Sequence, residues 1–367
     1  MAKPPRGPVD FSFILHPISF EDIFLKFGFM RHWPQALVER IIRLVPPVFT
    51  SRITGIRSDY GSVEGSFYGV PLTTHQMLAL PPQITIRKVI AAGKKAAREG
   101  AKIIGLGAMT AVVGDGGITV DRHLDIAVTT GNSYTVATAL EGAEKAASIM
   151  GLGMAEAKIA ILGATGAIGS VSARIMARKV RHLTLLARDT ARLDKLGEKI
   201  LEETGLIARV TSDVKEAVSS ADIIIAVSSS AESIVEPEDL KPGAIVCDVA
   251  RPRDVSVRVK EKRDDVLIIE GGVVEVPGDV EFNLNFGFPA GTAYACMAET
   301  MILALEQRYE SFSLGREMTV EQIDEIKALA TKHGFKLAGF RSFEQALSPE
   351  DIEKIKERAR AKGEIQK

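Results

Sequence analysis

Apolar positions follow two rhythms along this chain. Over 84–100 they recur at helical spacing, with Lys88, Lys94, Lys95 and Arg98 between them and Gly100 closing the pattern, so a helix is predicted there. Short apolar runs follow at 102–106 and 125–128, each closed by Gly or by Thr-Gly-Asn, and an Ala-rich helix is expected over about 134–150. Residues 1–155 therefore read as an α/β domain, the candidate substrate domain.

After Gly151 and Gly153 the rhythm becomes regular. Apolar strands are expected at 158–162, 182–187, 207–210, 222–227, 244–248 and 266–269, with helices at 167–179 and 189–203. Strands that are apolar throughout and separated by helical stretches predict a parallel sheet covered on both faces, because right-handed crossovers place helices there. The expectation for 156–289 is a Rossmann-type, doubly wound nucleotide-binding domain. Beyond Gly291 the chain turns helical again. Thr319 with Gln322 forms a capping-box pattern, and Ser348 with Pro349, Glu350 and Asp351 marks another helix start. The segment 290–367 is expected to pack its helices back on the first domain.

The stretch 11–29 is rich in Phe, Ile and Leu and is interrupted by His16 and Pro17, too soon for a membrane span. It is expected to be a helix packed on the core, and it could also line an apolar tunnel or touch a membrane surface. Composition narrows the rest. A length of 367 residues suits two domains, and 46% hydrophobic residues argue against disorder. A formal net charge of -1 provides no field to gather nucleic acid, so a nucleic-acid partner is not expected. Two cysteines exclude a disulfide framework and leave no Cys-rich metal spacing, and with no leader-like segment the chain reads as a soluble cytoplasmic protein.

The most specific motif is Gly163-Ala164-Thr165-Gly166-Ala167-Ile168-Gly169, which follows a buried strand and opens a helix. Glycines allow the tight turn and the close approach of a pyrophosphate, and the helix start offers unpaired N–H groups. At the end of the next strand stands Arg188, whose guanidinium suits a 2′-phosphate, with Asp189 beside it. The cofactor expected is NADPH. Ser228 and the pair Gly271 and Gly272 fall after later strands, where such sites form. Cys296 stands near a helix start, where a thiolate gains from unpaired N–H groups and the dipole; as a small thiol on an apolar face it also reads as core. Cys247, inside an apolar strand, reads as structural.

Taken together, His16 in Ile-Leu-His-Pro-Ile-Ser, Thr129-Thr130-Gly131-Asn132-Ser133, the Gly163–Gly169 motif with Ser170, Gly271-Gly272-Val273-Val274-Glu275 and Tyr294-Ala295-Cys296-Met297-Ala298-Glu299 resemble the long-chain acyl-(acyl carrier protein) reductases best known from cyanobacteria. The resemblance spans about 11–337. It implies reduction of a fatty acyl thioester to a fatty aldehyde with NADPH, acyl carrier protein or coenzyme A as the substrate carrier, an aldehyde-consuming enzyme as a further partner, and Cys296 as the nucleophile. Thr130 and Asn132 could then orient the carbonyl, and the Thr-Gly-Asn sequence is equally good turn chemistry. If the acyl chain is long, Phe13, Phe24, Phe27, Phe286 and Phe288 are candidates for the wall of a tunnel. The segment Val249-Ala250-Arg251-Pro252-Arg253-Asp254 departs from that family and looks more like glutamyl-tRNA reductases. Two other functions fit the same motifs: a shikimate-type NADP-dependent dehydrogenase without covalent catalysis, and a non-enzymatic NADPH-binding sensor.

Overall fold

A computed structural model describes residues 7–230, 232–250, 252–285 and 287–363. In chain order the strands up to residue 281 are β1 (Phe11–Leu15), β2 (Val48–Ser58), β3 (Gly61–Gly69), β4 (Ile103–Leu106), β5 (Ala127–Thr129), β6 (Lys158–Leu162), β7 (His182–Leu186), β8 (Arg209–Thr211), β9 (Ile223–Ala226), β10 (Ile245–Asp248), β11 (Leu267–Glu270), β12 (Val273–Glu275) and β13 (Gly278–Glu281). Two six-stranded sheets use most of them. The chain divides into two compact units, one of Met1–Asn132, Glu275–Arg316 and Glu325–Lys336, the other of Ser133–Val274, Glu317–Asp324 and Leu337–Lys367.

The first unit holds a mixed sheet in the order β13-β2-β3-β1-β4-β5. β1 lies between β3 and β4, parallel to both, so Phe11, Phe13 and Ile14 are buried. This corrects the expectation of a helix over 11–29: Phe11–Leu15 is a strand, Pro17 ends it, and only Phe20–Lys26 is α-helical, with a 3-10 turn at Gly28–His32. Alternation along the strands separates two faces. Ile14, Ile104 and Leu106 pack with Val89, Ala92 and Ala96 of the helix Pro82–Arg98. Phe13 and Gly105 face the other way, where Thr300 of the helix Ala295–Leu305 meets Gly105. That second helix is apolar all round, ten of its eleven residues are buried, and such a helix belongs in a core. Each Leu, Ile or Met it buries is worth about 1.5–3 kcal/mol.

The second unit holds the sheet β11-β10-β9-β6-β7-β8, all neighbours parallel. Counted from β6 this is the order 3-2-1-4-5-6, with the reversal between β6 and β9. The fold is thus α/β with a Rossmann-type doubly wound parallel sheet, as the pattern predicts. The helix Asn132–Met150 belongs to this unit from Ser133 onward, because its small residues pack under the sheet: Cys247 Sγ donates to Ala139 O at 3.6 Å, and Gly142 lies against Ile269 and Leu337. The last helix, Pro349–Ala361, starts with the expected Ser348 capping box. Of the segment 290–367, residues 290–316 and 325–336 belong to the first unit, and this last helix does not. It belongs to the second, where Arg358 and Lys362 pair with Asp264 and Lys362 with Asp265 at 2.9 Å.

Candidate functional site

The glycine turn lies at the carboxyl end of β6, at the strand-order reversal. Gly163 has φ +79°, and a Cβ there would come within 2.8 Å of the Ser228 backbone, so the turns after β6 and β9 touch. Gly163 N and Ala164 N both donate to Leu186 O, at 2.9 and 3.0 Å, which ties the turn to β7. Gly169 is needed for closure, because its Cβ would stand 2.3 Å from Gly163 O. Gly166 caps the helix Ala167–Met176 with no side chain, and a Cβ at Gly166 would meet only Gly163 O. Thr165, Ala167 and Ile168 are half-buried around this opening. A cradle that bare, beside uncapped N–H groups, fits a pyrophosphate.

Arg188 is exposed just past β7 and forms no ion pair among the described residues. Its neighbour Asp189 has a task already: it caps the helix Thr190–Thr204, accepting from Arg192 N at 3.1 Å. Ser228 is held by Asp254, which accepts from Ser228 N at 2.8 Å and from its hydroxyl. Burial pushes the Asp254 carboxyl up, against the pull of both Ser228 bonds. Gly271 is a packing residue, since a Cβ would stand 2.6 Å from Val249 and 2.9 Å from Cys247 Sγ; Gly272, buried beside it, has φ +81°.

In the first unit, Cys296 is half-exposed in the first turn of the helix Ala295–Leu305, whose N-cap Tyr294 provides no side-chain bond. Gly131, with φ +72°, lies directly on it: a Cβ at Gly131 would be 2.3 Å from Cys296 Cα. The Thr-Thr-Gly-Asn turn and Cys296, distant in sequence, are thus in contact. Within that turn Thr130 is buried and donates to Ser313 O at 2.5 Å. Asn132 is half-buried, and its carboxamide makes no hydrogen bond among the described residues.

Residues 144–269 match the family model for shikimate / quinate 5-dehydrogenase. An aminotransferase, PigE, of a Serratia strain is 31% identical over 317 residues, 85% of this chain, and the chain spans only 37% of that relative's length. A long-chain acyl-[acyl-carrier-protein] reductase of Synechococcus elongatus is 28% identical over 343 residues, covering 89% of this chain and 98% of the relative. Among solved structures, L-tryptophan dehydrogenase from Nostoc punctiforme aligns with 97% of this chain and 89% of its own at 13% identity and a TM-score of 0.41. The family match over 144–269 falls on the Rossmann-type sheet of the second unit.

Around the half-exposed thiol of Cys296, the structure shows partners that sequence reasoning did not pair with it. Glu299, one turn after Cys296, is fully buried and accepts from Thr129 Oγ1 and, at 2.7 Å, from Ser313 Oγ. Thr129 Oγ1 in turn accepts from Gly131 N at 3.3 Å. Ser313 sits at φ +48°, a backbone conformation that side chains rarely adopt. An acid inside an apolar helix is the signal that points to Glu299. Nothing in the sequence pairs Ser313 with it. His16 has both ring nitrogens engaged, Nδ1 with Pro17 O at 2.9 Å and Nε2 with Met109 N at 3.1 Å. The expected tunnel residues fall in separate places. Phe13 is core, packed edge-on to Phe67. Phe24 and Phe27 pack in a small cluster with Ile23, Met30, Val38 and Ile42. Phe288 stacks on Tyr294 and lines a cavity of about 370 Å³ with Phe282 and Leu284. Phe286 and Arg251 lie outside the described residues. Among the described residues no helix is long and apolar enough to cross a membrane.

Proposed function

We propose that the protein reduces a fatty acyl thioester, carried by acyl carrier protein or coenzyme A, to a fatty aldehyde with NADPH through an acyl thioester on Cys296. The observation that carries this reading is Cys296 itself, a half-exposed thiol in the uncapped first turn of an otherwise buried helix, with Gly131 pressed on its backbone. A core thiol would need no such placement, whereas a nucleophile gains from the helix start and needs exposure. The scheme is simple. The Cys296 thiolate attacks the acyl carbonyl, the carrier thiol leaves, and the acyl group stays bound to Sγ. The bound nicotinamide supplies the hydride that takes the acyl group to the aldehyde and frees the thiolate.

Other residues have supporting roles. Gly163, Thr165, Gly166, Ala167, Ile168 and Gly169 would hold the pyrophosphate, and Arg188 the 2′-phosphate, since Asp189 is occupied as a cap. Ser228 and the Gly271–Gly272 turn would border the cofactor. Asn132 is assigned to the carbonyl oxygen. Thr130, whose hydroxyl proton is directed at Ser313 O, anchors the turn instead. A sensible partner is an aldehyde-consuming enzyme, because a free aldehyde is reactive.

The family match over 144–269 favours one rival, a shikimate-type dehydrogenase that transfers hydride without a covalent step. Intact-mass analysis after mixing the protein with acyl thioesters in the absence of NADPH separates the two. A labile acyl adduct that Cys296→Ala abolishes is expected. Absence of any adduct, with turnover of a hydroxy acid that survives Cys296→Ala, would establish the rival instead.

A further inference from the structure

The segment Phe20–Leu44 of the first unit buries one apolar set and displays another. Ile23, Met30, Val38 and Ile42, with Phe20, Phe24, Phe27 and Ile41 against them, close a small cluster of their own. Phe29, which touches the edge of this cluster through the Phe27 ring at 6.3 Å, and Trp33, Leu37 and Leu44 are 60%, 39%, 46% and 81% exposed. The Phe29 and Trp33 rings stack edge to face at 5.6 Å. On the helix Gln35–Leu44, Leu37 and Leu44 lie two turns apart on the outer face with Arg40 beside them, while Val38 and Ile42 point inward.

Charge selects the occupant. Arg31, Arg40 and Arg43 are exposed, and none forms an ion pair among the described residues. The acids of the segment are bonded locally, and the Arg31 charge acts on Glu21. Asp22 accepts from Ile18 N and Ser19 N, Glu39 accepts from Gln35, and Glu21 bonds its own N–H and Ser19. The exposed side of the helix Gln35–Leu44 thus sets Arg40 and Arg43 beside Leu37 and Leu44, a face both apolar and cationic. We infer that Phe29, Trp33, Leu37 and Leu44 form an interfacial anchor that lies on an anionic lipid surface, with Arg31, Arg40 and Arg43 at the headgroups. Aromatic and leucine side chains enter the boundary of headgroup and acyl chain, and arginines flanking them meet anionic lipid. These four side chains are exposed on helix and turn positions, as insertion into a lipid boundary requires. The inference does not depend on the reaction assigned to Cys296.

Trp33 is the only tryptophan of the chain, so its emission reports this face alone. The full-length protein is titrated with vesicles of phosphatidylglycerol mixed with phosphatidylcholine, and with phosphatidylcholine alone. A blue shift and quenching by brominated acyl chains are expected with the anionic vesicles only. Cosedimentation should fall about tenfold or more in Arg40→Glu/Arg43→Glu and with added salt. Leu37→Ser should weaken it as well, and thermal melts of both variants should match wild type because these side chains are exposed. No shift with either vesicle overturns the inference. So does equal binding to neutral vesicles, and so does a shift produced only by an acidic carrier protein, which would make this face a protein-docking site.

Discussion

The two sheets differ in how far their neighbours lie apart in the chain. In the second unit all six strands come from 158–270, and apart from the β6/β9 reversal every neighbouring pair is consecutive in sequence. In the first unit β1 inserts between β3 and β4, and the edge strand β13 returns from 278–281 to pair with β2 after the whole second sheet has been traversed. Their sites follow suit. The turn proposed to hold the cofactor is seven consecutive residues after one strand, whereas the surroundings of Cys296 are gathered from Thr129–Gly131, Glu299 and Ser313. A contiguous site is fixed by local backbone rules. An assembled one exists only after distant segments have met.

That contrast can be broken most sharply at the thiol. Cys296→Ala should lower aldehyde formation by roughly a thousandfold or more, with NADPH affinity within about twofold of wild type, because the proposed nucleophile and the proposed cofactor turn belong to different units. Turnover assays and cofactor titration read the two effects separately. Turnover close to wild type would remove the covalent step altogether. The next largest effect is structural. Gly131→Ala places a Cβ 2.3 Å from Cys296 Cα at φ +72°, and should cost about 2–4 kcal/mol in chemical denaturation along with most of the activity. A stable, active Gly131→Ala protein would mean that the turn does not press on Cys296.

The same contrast explains what the sequence made legible. The apolar runs at 158–162 and 182–187 and the Gly163–Gly169 motif obey local rules, and strand, turn and helix appear within a residue or a few of where periodicity puts them. The capping box of Thr319 and Gln322 also closes as expected, at 3.0 and 3.2 Å. Phe11–Leu15 is not legible as a strand, because a buried central strand has little alternation to mark it. Of the segment 290–367, residues 290–316 and 325–336 belong to the first unit, whereas the last helix belongs to the second, where Arg358 and Lys362 find their acids in Asp264 and Asp265. Glu299 was visible as a residue but not as a hub, since its partners Thr129 and Ser313 are brought to it only by the fold.

Cofactor choice tests the contiguous site alone. Arg188→Ala should weaken NADPH by about 1.5–3 kcal/mol, roughly 10- to 150-fold, and leave NADH nearly unchanged, because only NADPH carries the 2′-phosphate. Paired dissociation constants decide it. An equal loss for both cofactors would show that Arg188 does not read the ribose phosphate.

The smallest effect concerns His16 at the end of β1. Its Nδ1 bonds Pro17 O, so Nε2 must be the unprotonated nitrogen that accepts from Met109 N, and the ring must be neutral. Burial holds its pKa below the ordinary value of 6.5, against the smaller pull of the Pro17 bond and the Asp22 charge. Below pH 6.5 the unfolded chain takes up this proton before the native state does. The stability supplied by neutral His16 is therefore fully present above about pH 6.5 and is lost as the pH falls through the depressed native value. The slope cannot exceed about 1.4 kcal/mol per pH unit for a single group. Denaturation measured at pH 7.5 and 5.5 should show wild type losing about 1 kcal/mol more than His16→Gln, whose amide can offer the same acceptor and donor without titrating. Carboxylates titrate alike in both proteins, so the difference isolates the imidazole. If wild type and variant lose stability in parallel, His16 already carries its proton in the native state, and its bond to Met109 N is not what fixes the loop after β4.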